Sequence, residues 1–135
     1  APSGPLNRIA SGGELSRFLL ALKVCLTGDS PGLTLIFDEI DQGIGGEVGG
    51  RVGAALAQVA LRHQVLVITH LPQIAARGDR HLRIAKATRD GMATSDVTRL
   101  HGEDRVLELA RMLGGDGEAE RGLARALLGE GVSAR

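Results

Sequence analysis

Three groups of residues in this 135-residue chain have the types and order that phosphate chemistry requires. Ser11–Glu14 reads Ser-Gly-Gly-Glu, one apolar run ends in Asp38 and Glu39, and a second ends in Thr69 and His70. Backbone N–H groups at a helix start bind phosphate, carboxylates bind Mg²⁺ or activate water, and histidine hydrogen-bonds phosphate oxygens. A phosphate loop of the form Gly-x-x-x-x-Gly-Lys-Ser/Thr occurs nowhere in the chain. The sequence therefore predicts about half of a site for nucleotide hydrolysis.

The first group also has a purely structural interpretation. A serine followed three residues later by a glutamate is a capping box, which is common before amphipathic helices. Gly12 and Gly13 are harder to explain in this way, because glycine in a first turn lowers helix stability. Close approach of a phosphate to a helix N-terminus explains them better. Beside the other two groups, the pattern favours phosphate binding by Ser11, Gly12 and Gly13.

The acidic pair could be a strand end that simply faces solvent. Carboxylates that follow a buried parallel strand, however, lie where open α/β sheets bind ligands. We therefore expect Asp38 to bind Mg²⁺, directly or through water, and Glu39 to orient and deprotonate an attacking water. The glycine-rich loop that follows could be a flexible linker. Its position favours instead a loop that approaches a partner or a phosphate, with Asp41, Gly43 and Gly45 as the candidate residues.

A lone histidine at a strand end is more often a satisfied polar residue than a catalyst. His70, however, ends the next predicted strand after the one that ends in Asp38 and Glu39. Both strand ends should then share one edge of the sheet, where His70 could hydrogen-bond a γ-phosphate and the catalytic carboxylate. The remaining histidines have no metal-ligand spacing and are expected at surface or hairpin positions: His63, His81 and His101.

A run of basic residues follows the second strand, and only Asp79 opposes it before residue 90. Its members are Arg77, Arg80, Arg83, Lys86 and Arg89. Charged residues commonly protect a solvated strand edge, and we favour that interpretation. Contact with DNA phosphates through Arg77, Arg80, Arg83 and Arg89 is the alternative.

Hydrophobic periodicity predicts the elements that must hold these groups. Apolar residues at helical spacing indicate a helix after the Ser11 group: Leu15, Phe18, Leu19, Leu22 and Leu26. Leu33 to Phe37 and Val65 to Thr69 are continuous apolar runs, typical of strands buried on both faces. A glycine-rich loop from Gly43 to Gly50 leads into a helix between them. Strand, helix, strand in this order predicts a parallel pair.

The second half of the chain has a different pattern. Asp90-Gly91 separates two polar-apolar runs and predicts a hairpin that places Ile84 opposite Val97. One helix should end at Gly114-Gly115, and another should cover Glu118 to Leu128. We expect one α/β domain over residues 1–135: a small, mostly parallel sheet flanked by helices, with a β-hairpin and C-terminal helices.

Composition sets limits on the class of protein. Only two of the residues are aromatic, Phe18 and Phe37, so leucine, valine, isoleucine and alanine must form the core. Sixteen basic and sixteen acidic residues balance, so net charge indicates neither nucleic acid nor membrane as a partner. The single cysteine, Cys25, fits a reducing cytosol, and no apolar run is long enough to span a bilayer. We expect a cytoplasmic protein with no membrane partner.

The three groups together resemble the ABC ATPase superfamily. Ser11–Glu14 is similar to its signature motif, Phe37–Glu39 to its Walker B motif and His70 to its switch histidine. Longer stretches around them resemble the RecN family, bacterial SMC-like proteins of DNA repair: residues 8–17, 37–46, 68–73 and 110–115. Two positions depart from many ABC proteins, which have leucine where this chain has Ala10 and aspartate where it has Gly45. Contact with a second subunit would then have to come from backbone or from Asp41.

This resemblance implies the C-terminal lobe of an ABC-type ATPase head that a long coiled coil divides. The N-terminal lobe of the same protein would carry the phosphate loop, and the isolated C-terminal lobe would be an inactive fragment. ATP and Mg²⁺ would be held between two heads of a homodimer, with Ser11, Gly12 and Gly13 contacting the nucleotide of the opposite head. DNA would bind the full-length, nucleoid-associated protein. A lobe of another SMC or ABC ATPase, or a non-catalytic module that binds DNA or a partner, are the alternatives.

Overall fold

The computed structural model describes Leu20, Leu22 and residues 32–133. Its elements follow the order β1 (Thr34–Asp38), α1 (Gly46–Val59), β2 (Gln64–Ile68), α2 (Pro72–Ala75), β3 (His81–Arg89), β4 (Met92–Leu100), α3 (Gly102–Leu113) and α4 (Glu118–Ser133). The α/β fold with a hairpin and C-terminal helices is confirmed. The Ser11–Glu14 group lies outside the described residues, as does the helix predicted after it except for Leu20 and Leu22. Both of these are helical, and Leu22 is buried.

The strands that carry the acidic pair and the histidine form a parallel pair, as predicted. Thr34 lies opposite Gln64 and Asp38 opposite Ile68, so both strands end at the same edge. Helix α1 makes the crossover between them and covers one face of the sheet. The core on this face is aliphatic apart from one phenylalanine: Leu22, Phe37, Ile40, Val52, Leu56, Val59 and Ile74. Burial of this apolar face fixes the register of the two strands, and the register in turn places their polar ends side by side.

The opposite face of the β1–β2 sheet is open. The prediction that these strands are buried on both faces is wrong for this chain, since Ile36 is 64%, Leu66 45% and Ile68 52% exposed. Side chains alternate between faces along a strand, so these three lie on the side away from α1. We name Ile36, Leu66 and Ile68 the open sheet face. Ile36 and Leu66 are paired in register, which makes the face a continuous apolar surface.

Helix α1 begins earlier than the sequence predicted. The residues expected to form a loop as far as Gly50 are helical from Gly46 onward. Two glycines inside the helix allow a close approach to the segment after β2. A Cβ atom at Gly49 would lie 2.9 Å from Leu71 Cδ1, and one at Gly53 would lie 3.0 Å from the backbone oxygen of Gln73. Glycine is needed here for packing, which propensity alone does not reveal.

Two substitutions in α1 should separate packing from propensity. Gly53→Ala should destabilise the chain by about 1–3 kcal/mol, because the new methyl group meets the backbone of α2. Gly50→Ala has nothing within 4 Å of the new Cβ and should stabilise it by about 0.5–1 kcal/mol. Urea denaturation of the two variants measures both changes. Equal effects of the two substitutions would contradict the packing of α1 on α2.

The hairpin has the predicted register. Strands β3 and β4 run up to the turn itself, and Ile84 lies opposite Val97. Asp90 and Gly91 have φ angles of 52° and 77°, the left-handed values of a two-residue hairpin turn. The hairpin is largely exposed along both strands.

Helices α3 and α4 pack on each other and on the end of α2. Their shared core consists of small and aliphatic residues: Ala76, Val106, Leu109, Ala110 and Ala124. Gly114 ends α3 in a left-handed conformation, as predicted, while α4 extends past Leu128. Helix α2 has only four residues and was not predicted. Arg105 of α3 joins it to the helices by donating to the carbonyl oxygens of Ala75 and Gly78, at 3.1 and 2.6 Å.

Candidate functional site

The acidic pair lies at the exposed end of β1. Asp38 is the last residue of the strand, and Glu39 follows it with a φ of 59°. Neither carboxylate makes a hydrogen bond or ion pair with another residue of the described range 32–133. A left-handed glutamate costs roughly 1–2 kcal/mol of backbone energy, and such residues cluster at functional sites. Two exposed carboxylates are therefore available to ligands, and the second is held by a strained backbone.

The loop after β2 is bound to the loop after β1 through one buried carboxylate. Asp41 is 1% exposed and accepts hydrogen bonds at Oδ2 from the Thr69 hydroxyl and from the backbone N–H of His70, the latter at 2.7 Å. The same oxygen lies 3.1 Å from His70 Nδ1. Thr69 Oγ1 in turn accepts from the backbone N–H of Leu71 at 3.0 Å. These bonds hold His70 at the sheet edge where β1 ends.

Burial changes what Asp41 can contact. The sequence made it a candidate for contact with a second subunit, yet its carboxylate points into the chain and is engaged with Thr69 and His70. The His70 side chain, by contrast, is 69% exposed. Of the other two candidates in this loop, Gly43 has a φ of 75° and Gly45 is exposed with open space around it. Of the three candidates, only these two glycines are placed for an outward contact, through their backbones.

His63 is a structural residue that the sequence placed at the surface. It is buried, and its Nδ1 accepts a hydrogen bond from the backbone N–H of Leu33 at 3.0 Å. This bond joins the segment before β2 to the segment before β1. The surface prediction for His63 is wrong because a turn residue next to a parallel strand can cap its neighbour, which spacing in sequence does not show.

The basic run does not form one free cationic face. Arg77 is half-buried with its stem against α1, and Arg89 forms an ion pair of 3.1 Å with Asp96. Arg80 and Arg83 are exposed. DNA contact therefore stays a prediction, with Arg80 and Arg83 as its more accessible members.

The side chains with shifted pKa values belong to β3 and α3, away from the ends of β1 and β2. Two hydrogen bonds from Arg111, of 2.7 and 2.8 Å, lower the pKa of buried Glu108. Because that pKa is lowered on folding, the pair stabilises α3 at neutral pH and stops doing so as pH falls through the lowered value. Burial, with Arg105 nearby, lowers the pKa of His81. His81 lies in β3, and Glu108 and Arg111 lie in α3, so these shifts concern the hairpin and the C-terminal helices and not the strand-end site.

Within residues 32–133 no three histidine, cysteine, aspartate or glutamate side chains come together as a metal site. Asp38 alone could bind a cation that takes its remaining ligands from phosphates and water, which is how Mg²⁺ is commonly held. In the same part of the chain, no helix has the length and apolar character needed to cross a membrane.

Comparison with known proteins gives a consistent set of relatives, although no protein-family model matches the chain. It is 54% identical over 122 residues to the DNA repair protein RecN of Mycobacterium leprae, which covers 90% of this chain and 20% of that protein. It is 49% identical over 127 residues to the RecN of Streptomyces coelicolor, a match that covers 93% of this chain and 22% of that protein. For the RecN of Deinococcus radiodurans the identity is 48% over 126 residues, with 93% and 22% covered.

A solved structure shares the fold. It comes from work on ATP-driven dimerization and DNA stimulated activation of SMC ATPases, and it superposes with a TM-score of 0.57 at 26% sequence identity. The match covers 79% of this chain and 64% of that one. The predicted resemblance to RecN and to SMC-type ATPase heads is confirmed, and the chain spans about a fifth of the length of the RecN proteins it matches.

Proposed function

We propose that this chain, which resembles RecN over nearly all of its own length, acts as the C-terminal ATPase-head lobe of a RecN-like protein in DNA double-strand-break repair. One observation carries the proposal. The parallel register of β1 and β2 brings exposed Asp38 and Glu39 to the sheet edge where the Asp41 bonds hold His70. A carboxylate pair and a histidine at such an edge suit phosphate chemistry. The substrate would be ATP, hydrolysed with Mg²⁺.

Each residue at the edge has a distinct role in this proposal. Asp38, exposed at the strand end, would hold Mg²⁺ directly or through water. Bound there, the ion would supply positive charge to the phosphates. Glu39 would orient the attacking water and remove its proton. Its left-handed backbone sets the direction in which the side chain leaves the main chain. His70 would donate a hydrogen bond to the γ-phosphate from Nε2, the ring nitrogen that Asp41 does not contact.

The open sheet face supports a second lobe as the partner. Ile36, Leu66 and Ile68 form a paired apolar surface beside the acidic edge, and no phosphate loop occurs in the chain. A lobe that covers this face would bury the sheet on both sides and bring a phosphate loop to the same edge. We propose that this lobe is the N-terminal ATPase lobe of the same protein. Ser11, Gly12 and Gly13 would then serve the nucleotide of a second head in a homodimer.

Binding of the separately produced N-terminal lobe of Mycobacterium leprae RecN tests this partner. Ile36→Lys places a charge at the centre of the open sheet face and should weaken binding more than about tenfold, since burying an unpaired charge is costly. Val97→Lys is the matched control: Val97 is 62% exposed on a hairpin strand, against 64% for Ile36. Isothermal titration calorimetry measures both. Equal affinities for the two variants would exclude the open sheet face as the lobe contact.

DNA binding belongs to the longer protein in this proposal, as does a cytoplasmic, nucleoid-associated location. Arg80 and Arg83 are the exposed candidates for DNA phosphate contact. A non-catalytic DNA module would bind DNA without the N-terminal lobe and would ignore nucleotide. Parallel titrations with ATP and with duplex DNA, each with and without the lobe, distinguish such a module from the ATPase head.

A further inference from the structure

Asp41 lies inside the chain, and the proposed function gives it no contact with nucleotide, metal or water. It is three residues past Asp38, 1% exposed, and its oxygen Oδ2 accepts from two backbone or hydroxyl donors of the β2 loop. A buried carboxylate used only to join two loops would need those bonds alone. The third neighbour of Oδ2 is His70 Nδ1 at 3.1 Å, on a side chain that is otherwise 69% exposed.

We propose that Asp41 is a positioning residue for His70, which it holds in one tautomer and one ring orientation so that Nε2 faces the nucleotide. This inference rests on the proposed function for what Nε2 meets, but the Asp41–His70 contact stands without it. A carboxylate oxygen that accepts from the Thr69 hydroxyl and from a backbone N–H has no hydrogen to give to Nδ1. The hydrogen between Oδ2 and Nδ1 is therefore on the imidazole.

The arrangement has a chemical consequence at the exposed nitrogen. With its hydrogen on Nδ1, 3.1 Å from Asp41 Oδ2, neutral His70 presents a lone pair at Nε2, which cannot donate to a phosphate oxygen. Donation from Nε2 to a phosphate oxygen therefore requires a hydrogen on both ring nitrogens, with Nδ1 still facing Asp41. Carboxylates that orient histidine in this way act through it and do not touch substrate.

Nitrogen NMR of the 135-residue chain tests the tautomer without any nucleotide. We expect His70 to show the Nδ1–H form, while exposed His101 serves as a reference histidine in the same spectrum. Asp41→Asn should shift His70 toward the His101 pattern, because an amide can either donate to or accept from Nδ1. Thr69→Val removes the hydroxyl that donates to Asp41 and accepts from the backbone N–H of Leu71, but it leaves Nδ1 facing Asp41 and should leave the His70 tautomer as it is. A wild-type His70 that already matches His101 would overturn the proposal. This comparison uses only the wild-type chain, so it does not depend on whether a variant folds.

Kinetics measure the positioning role in a RecN chimera, meaning Mycobacterium leprae RecN with this chain in place of the segment that it matches. Asp41→Asn should lower kcat by about 10- to 100-fold, with KM for ATP within about twofold. Adding it to His70→Ala should lower kcat no further, since the two act as a unit. A full additional loss in the double variant would overturn the proposal. Normal turnover by His70→Ala would overturn the proposed function instead, and the tautomer measurement would be unaffected.

Discussion

Replacing Glu39 with glutamine should reduce ATP turnover by the RecN chimera by about 10²- to 10⁴-fold, the scale on which general bases contribute. Glutamine keeps the size and hydrogen-bonding reach of the side chain but cannot take a proton from water. Glu39 follows the last residue of β1, is exposed, and makes no side-chain bond with another described residue, so no bond in that part of the chain depends on its charge. ATP should still bind, and heads closed on ATP should accumulate.

Single-turnover hydrolysis and nucleotide binding, measured on the same preparation, check this expectation. Glu47→Gln is the matched control, because Glu47 is also an exposed glutamate, in the first turn of α1, and should leave turnover unchanged. Glu39→Gly is informative in the other direction. It should raise stability by up to about 1–2 kcal/mol by relieving the left-handed backbone, while abolishing turnover. Normal hydrolysis by Glu39→Gln would assign the base to another residue.

The second large effect concerns the Ser11 group and a second head. Ser11→Arg in the RecN chimera should abolish ATP turnover and ATP-dependent dimerisation, because a bulky cation would stand where backbone N–H groups are proposed to meet a γ-phosphate. Each head should still bind ATP. Loss of the cap should cost no more than about 1 kcal/mol of stability.

Mixing two inactive chimeras tests whether Ser11 acts across the dimer. One partner carries Ser11→Arg, and the other carries a broken lysine in the phosphate loop of its N-terminal lobe. A mixed dimer has one composite site with both defects and one with neither, so partial turnover should return. If mixed dimers form and no turnover returns, Ser11 does not act in trans.

The sequence was most informative where residues close together along the chain determine the structure. Two apolar runs that end in Asp38-Glu39 and in Thr69-His70 predicted a parallel pair with its polar residues at one edge, and the register confirms that pairing. Asp90-Gly91 predicted the hairpin and its Ile84–Val97 pairing for a local reason, since both turn residues adopt left-handed angles. These features depend on neighbours along the chain.

The features that sequence missed depend on neighbours in space. Asp41 stands in a glycine-rich loop, where a carboxylate is expected to face solvent, and only the fold shows it buried against Thr69 and His70. Gly53 was assigned to a helix without any sign that its missing Cβ admits the backbone of Gln73. Neither contact leaves a pattern in spacing or hydropathy.

The open sheet face is a different kind of discrepancy. The apolar character of Ile36, Leu66 and Ile68 predicted burial on both faces, yet all three are exposed in this chain. Their side chains fit an environment that includes a second layer on the sheet, and the proposed N-terminal lobe supplies such a layer. Under the proposed function, the pattern in the sequence reflects an assembled head of which this chain would form one part.

The most direct test of the composite site is ATP turnover by this chain alone, by the separately produced N-terminal lobe alone, and by the two together. The account predicts Mg²⁺-dependent turnover only in the mixture, lost with Glu39→Gln and with Ile36→Lys in this chain and retained with Val97→Lys. Turnover by this chain alone at the rate of the mixture would contradict the account, because the phosphate loop would then not come from a second lobe.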